Sequence, residues 1–253
     1  MRKPFLVLVV FCLAATLAVA QAAPPASVCE IHVNKPKPGM TSQYEQGRTK
    51  HMAWHKSQND SWTWHVWEIT TGPDTGSYLV SSCGHEWKDF DGRDKFNLAD
   101  SVDANANMGP SLASSTMSYY VLRADLSAPM AAGPTPPYLS VTHFFLKPEG
   151  ALDFFDGAKK VGAALTKTGT PSPPTEWYSL VNGGRGPELV LAQARKSIGD
   201  LAGPAKTLDQ IMQEAYGAEG ATTMSAIRKA YYSAVSELLQ LRPELSYVPA
   251  KKP

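Results

Sequence analysis

His51 and His55 stand four residues apart in His-Met-Ala-Trp-His, a spacing that puts both imidazoles on one face of a helix. Two histidines so placed can share a metal ion, but such a centre needs a third ligand and often a fourth. His85 and Glu86, further along the chain, are the residues that could supply one. Met52 follows His51 where a zinc-protease helix carries its glutamate, so the pair alone assigns no metal ligand. A second concentration of chemistry lies between Ser61 and Asp91, which holds four of the six tryptophans and two of the six histidines. Together these stretches nominate His51, Trp54, His55, Trp64, His65, Trp67, His85 and Trp87 as lining residues of an apolar pocket with a histidine handle. His32 and His143 read as structural histidines. Serine nucleophile elbows, phosphate loops and Cys-x-x-Cys pairs are absent. Gly183-Gly-Arg-Gly186 lies between two strand-like runs, where a phosphate cradle would need a following helix, so it is a turn.

The chain that carries these residues has 253 positions, with 24 Lys and Arg against 23 Asp and Glu. No basic stripe points to nucleic acid. Arg2 and Lys3, an uncharged run from Phe5 to Ala18 and the small residues of Ala18-Val-Ala20 have the form of a secretory signal peptide over 1–20, which predicts a secreted or periplasmic protein. No later stretch approaches the length of a membrane span. Residues 21–27 form a Pro/Ala leader. Export permits a disulfide, and two cysteines remain after the signal, Cys29 and Cys83.

Periodicity places a strand at Val28–Val33, ended by Lys-Pro-Lys-Pro-Gly, and a helix from Thr41 or Ser42 to Gln58, with Glu45 answering the cap. A β-hairpin spans Ser61–Trp87 around Gly72–Gly76. Trp64 and Val66 share one face of its first strand, and His65, Trp67 and Ile69 the other. A polar helical segment, 88–107, and a strand, Ser118–Leu126, follow. Residues 128–137 are a Pro/Ala/Gly linker. The order then restarts with a strand (Tyr138–Leu146), a helix (Ala151–Thr168) and a hairpin (Glu176–Ala194). A long helical stretch (Thr207–Leu241) and a short final strand (Glu244–Val248) end the chain.

The two halves match in register at an offset of 110, which maps Lys37-Pro38 onto Lys147-Pro148, Tyr44 onto Phe154, Trp67 onto Trp177 and Leu79-Val80 onto Leu189-Val190. The offset grows to 119 by Arg123–Ser127 and Arg242–Ser246. Two β-α-β-β-α-β units, each leaving its first strand through Lys-Pro, resemble the ferredoxin-like dimeric α/β-barrel superfamily, most closely its NIPSNAP-like and antibiotic-biosynthesis-monooxygenase-like members. The resemblance implies an α+β fold of two tandem ferredoxin-like units, 28–127 and 138–253, packed sheet against sheet as an intramolecular pseudo-dimer, the second with a long helical insert. The strand order 4-1-3-2 of such units implies a Cys29–Cys83 disulfide, with Cα atoms within about 7 Å.

These features predict an exported small-ligand-binding or interaction module without catalysis. The alternatives are a cofactor-poor monooxygenase or isomerase acting on a small aromatic compound, and a haem- or metal-binding protein. The expected partner is a small apolar or aromatic ligand; the cofactor is open, and the chain is a monomer or homodimer. The first half alone concentrates tryptophan and histidine, so it is expected to hold any site. At offset 110 the second half has Val161, Leu165, Thr175 and Arg195 where the first has His51, His55, His65 and His85.

Overall fold

The structure, a computed structural model, describes residues 27–128 and 133–250. The signal segment, nearly all of the leader and part of the linker lie outside the described residues. The first half comprises β1 (Val28–Pro36), α1 (Thr41–Ser57), β2 (His65–Ile69), β3 (Tyr78–His85), α2 (Trp87–Asp91), α3 (Asp94–Asn107) and β4 (Leu112–Leu122). The second comprises β5 (Tyr138–Leu146), α4 (Ala151–Lys167), β6 (Thr175–Asn182), β7 (Glu188–Arg195), α5 (Leu208–Tyr216), α6 (Ala218–Ala230) and β8 (Tyr231–Leu241).

The eight strands close into one antiparallel barrel in the order β1-β3-β2-β8-β5-β7-β6-β4. Read within each half this is 4-1-3-2. The halves meet edge to edge, β2 on β8 and β4 on β6. This corrects the expected face-to-face packing of two sheets: pairing the edges leaves none of these strands with an open row of N–H and C=O groups.

Alternation gives every strand two environments. Ile31, Val33, Trp67, Ile69, Leu79, Val141, Val190 and Leu239 line the barrel interior. Tyr44 and Met52 of α1 pack with Trp64, Val66, Tyr78 and Val80 on the outer face of the first half's sheet. Leu245 and Tyr247, from the far end of the chain, complete that outer core. The outer face of the second half is covered by α4, α5 and α6, where Ala164, Ile211, Met212 and Met224 form a buried apolar cluster.

Several sequence expectations change. Tyr231–Leu241 is a strand, not the end of a helix: pairing along β5 and β2 overrides the helix-favouring Ala, Glu, Leu and Gln of its sequence. The short strand expected at Glu244–Val248 reduces to one bridge between Trp64 and Tyr247. The expected Ser118–Leu126 strand begins earlier, at Leu112, and ends at Leu122, and the polar segment after the hairpin divides into α2 and α3. Met40, not Thr41 or Ser42, is the N-cap of α1, and no side chain caps it.

The constant offset also fails inside the hairpin. Trp67 pairs with Leu79, whereas Tyr178 pairs with Val190, so β2 and β3 correspond to β6 and β7 at 111 rather than 110. Because side chains alternate, the single residue reverses their faces: Trp67 lies in the barrel, and Trp177 lies outside it against Phe144 and Phe154. The offset of 110 does hold in the helices, where Gly47 and Gly157 occupy equivalent sites of close approach. A Cβ on Gly47 would stand 2.2 Å from the Asn107 carbonyl oxygen of α3, and one on Gly157 would stand 2.3 Å from Ile227 of α6.

Cys29 and Cys83 are direct partners across β1 and β3 and form a disulfide, with Cα atoms 4.0 Å apart. The antiparallel pairing of first and third strands, from which the bond was expected, is present.

Candidate metal centre between helix and sheet

One face of α1 carries Tyr44, Arg48, His51, Met52 and His55 at helical spacing, and all are buried. Gly47 lets the C-terminal end of α3 lie against α1, which brings the α3 residues Asp100 and Asp103 over the two histidines. His51 Nδ1 lies 2.8 Å from Asp103 Oδ1, and His55 Nδ1 lies 2.9 Å from Asp60 Oδ2. Carboxylates on both Nδ1 atoms fix these as the N–H positions and leave the Nε2 lone pairs facing inward.

The two Nε2 atoms are 3.2 Å apart, and Asp100 Oδ1 lies 3.3 Å from His51 Nε2 and 3.1 Å from His55 Nε2. A metal holding three N/O donors at about 2.1 Å sets them roughly 3.0–3.4 Å apart. The triangle therefore has the dimensions of three ligands on one ion. Asp100 Oδ1 is buried and makes no directed hydrogen bond in spite of its two close neighbours. Two neutral imidazoles presenting lone pairs to each other and to a carboxylate repel unless a proton or a metal ion sits between them.

The second layer is dense. Asp60, its side chain wholly buried, accepts hydrogen bonds from His55 Nδ1, Trp64 Nε1 (3.0 Å), Arg93 Nη1 (2.9 Å) and the Trp62 backbone N–H (3.2 Å). Burial favours its neutral form, but these donors prevail and hold it well below the usual carboxylate range. Asp100 is lowered in the same way: burial opposes its charge, and the two histidines outweigh burial. For His55 burial likewise opposes the charge, yet Asp100 and Asp60 raise its pKa. Tyr247 donates to the Asp60 carbonyl at 2.7 Å and stacks near His55, so the end of the second half braces the site.

A cleft of about 130 Å³ adjoins the cluster, lined also by His32, Asn34, Arg48, Trp64 and Met108. Arg48 is 4% exposed, and its Nε and Nη2 have no hydrogen-bond acceptor. Burial lowers its pKa, opposed by the nearby Tyr44 and Asp100. The cleft thus combines a three-donor set with an unpaired guanidinium.

The nominated residues divide among several environments. His51, His55 and Trp64 line the cleft. Trp54 stacks on His51 at 5.8 Å outside it. His65 and Trp67 face the barrel interior. His85 stacks on Trp62 at 3.6 Å and bonds Ser82, while Trp87 is 43% exposed. The third donor is Asp100 and not His85 or Glu86; the latter caps α2. Sequence reasoning missed Asp60, Asp100, Asp103 and Arg48. Arg48 shares the helical face of the two histidines, and Asp100 and Asp103 share one face of their own helix, so both patterns were visible; their convergence was not. His143, read as structural, faces the barrel and bonds Glu188 at 2.6 Å.

No protein-family model and no curated protein matches this chain. Solved structures do. An anthrone oxidase-like protein superposes with a TM-score of 0.55 at 14% identity, covering 87% of this chain and 92% of that one. A candidate monooxygenase from Fusobacterium nucleatum gives 0.56 at 12% identity, over 86% and 93%. A mutant chlorite dismutase from Candidatus Nitrospira defluvii gives 0.53 at 9%, over 86% and 92%. These likenesses show the fold alone, the α+β barrel described above.

Proposed function

We propose that the chain is an oxidoreductase whose first-half cleft binds one divalent transition metal through His51 Nε2, His55 Nε2 and Asp100, and that it acts on a small anionic substrate. The observation that carries this reading is the 3.1–3.3 Å triangle of donors, with both histidine Nδ1 atoms held by carboxylates. Two histidines and one carboxylate with the remaining positions open form the ligand set of mononuclear non-haem iron oxygenases. The neighbours in fold carry names from oxygen chemistry (oxidase, monooxygenase, chlorite dismutase), which supports the same class. The ligand cluster and these neighbours favour the oxygenase and metal alternatives over the non-catalytic module expected first. A cleft of about 130 Å³ suits a ligand of a few atoms and is too small for a porphyrin, which favours an ion over haem.

When bound, the metal would supply Lewis acidity and a redox couple. The protein's own contribution is orientation and exclusion of water. Asp60 and Asp103 keep both imidazoles in the ligating tautomer. Arg48 offers unpaired N–H groups to a carboxylate or oxyanion in the cleft, where a buried charge interaction is weakly screened. Trp64, Val80, Met108 and Leu112 form the apolar wall.

Metal analysis after anaerobic incubation with Fe(II), Co(II) or Zn(II) tests the reading. One equivalent per chain is expected, and Asp100→Asn combined with His51→Ala should abolish it. No retained metal with any of the three would sink the proposal. Oxygen uptake screened over small carboxylates and oxyanions then tests the substrate class.

We further infer an exported chain, cleaved after residue 20, whose units 28–127 and 138–253 descend from a duplication and form an intramolecular pseudo-dimer. The Gly47 and Gly157 pair supports the duplication, and a mass measurement on the secreted protein tests the cleavage.

A further inference from the structure

The barrel interior is a second cavity, separate from the metal cleft and lying on the other side of the sheet. Its volume is about 370 Å³, within the range of small-molecule sites. Trp67, Ile69, Val141, Val190 and Leu239 give it apolar walls drawn from both halves. Histidine apart, its ionisable acids meet no matching base. Asp74, Glu176 and Glu237 line it, and among the described residues neither lysine nor arginine does. His143 is bonded to Glu188, and burial keeps His65 on the neutral side of its usual range.

The three carboxylates differ in how they are satisfied. Glu176 accepts the Tyr178 hydroxyl at 2.6 Å. Glu237 is 8% exposed, and its Oε1 has no hydrogen-bond partner. A carboxyl oxygen buried without a donor is costly, and protein cores rarely keep one without a reason. Burial pushes Glu237 above the usual carboxylate range, against the pull of His143 and of a backbone hydrogen bond from Asp74, and a positive charge beside it would favour the ionised form.

We propose that the barrel interior is a binding site for a small organic amine, with the apolar body among Trp67, Val141, Val190 and Leu239 and the ammonium on Glu237. The wall chemistry selects the body, and the unpartnered oxygen of Glu237 selects the head. An anion would meet three carboxyl groups without a lysine or arginine, and a neutral alcohol would bring Glu237 no charge to pair with.

Calorimetric titration of the full-length mature protein with 1-naphthylmethylamine, 1-naphthylmethanol and 1-naphthoate tests this. The amine should bind once per chain, about tenfold or more tighter than the alcohol, since a charge-assisted hydrogen bond exceeds a neutral one. The naphthoate should not bind. Glu237→Gln should weaken the amine by about the same factor and leave the alcohol unchanged. Ala192→Phe, which fills the cavity from β7, should abolish both. Affinity should not depend on added metal, which separates this site from the cleft. Binding of the naphthoate as tight as the amine, an amine affinity indifferent to Glu237→Gln, or no binding of the amine would each overturn the proposal.

Discussion

Replacing Asp60 by Asn gives the sharpest test of how the metal cluster is built, because it leaves every ligand in place. Asp60 Oδ1 accepts from Arg93 and the Trp62 N–H, and Oδ2 accepts from His55 Nδ1 and Trp64 Nε1. Asn keeps one oxygen, so its NH2 must face one of these donor pairs. Facing His55, the amide donates to Nδ1 and drives the proton to Nε2, which removes that lone pair from the triangle. Facing Arg93, it leaves a buried cation, whose Nε and Nη2 already lack acceptors, without its counter-charge. The first outcome should weaken metal binding roughly 10- to 100-fold, as loss of an outer-shell carboxylate does. That is about 1.4–2.7 kcal/mol. The second should cost roughly 1–3 kcal/mol of stability for a donor left unmet. Competition against a chromophoric chelator measures the first and urea denaturation of the apo protein the second. A variant that binds metal as tightly as the parent would refute the tautomer argument, even if it were less stable.

Further outcomes follow from other parts of the fold. Gly47→Ala should push α3 away from α1, since the new Cβ would stand 2.2 Å from the Asn107 carbonyl; metal affinity should fall although no ligand changes, and an unchanged affinity would mean that α3 is not positioned there. Reduction, or Cys83→Ser, should destabilise the protein by up to about 4 kcal/mol on the chain-entropy model for a loop closed across 54 positions, read from the shift of a denaturation midpoint. Glu237 has a raised pKa, so the native state binds more protons than the unfolded chain and loses stability as pH rises above the ordinary carboxylate value. Glu237→Gln should therefore gain stability relative to the parent at neutral pH and converge with it near about pH 4; a constant difference across that range would contradict the assignment.

Much of the frame could be read from residue order. The alternation of β1 and the apolar face of α1 predicted their elements, and the ferredoxin-like strand order brought Cys29 to Cys83. The pair His51 and His55 was visible as a four-residue spacing. Local periodicity carries such information because it depends only on which neighbours along the chain share a face. It is also why Tyr231–Leu241 misled: its residues favour helix, and only pairing with β5 and β2 makes it a strand.

Tertiary structure alone decided the rest. Asp100 and Asp103 reach the histidines because Gly47 admits α3, and nothing local to 94–107 names that destination. The one-residue shift between the hairpins put Trp67 inside the barrel and Trp177 outside, although the sequences align them. Closure of β2 on β8 and β4 on β6 then turned two half-buried sheets into the walls of one cavity. Sequence specifies which face a side chain takes within its own element; which groups meet across elements depends on how the backbones approach, and there a single Cβ or a single residue of register changes the partner.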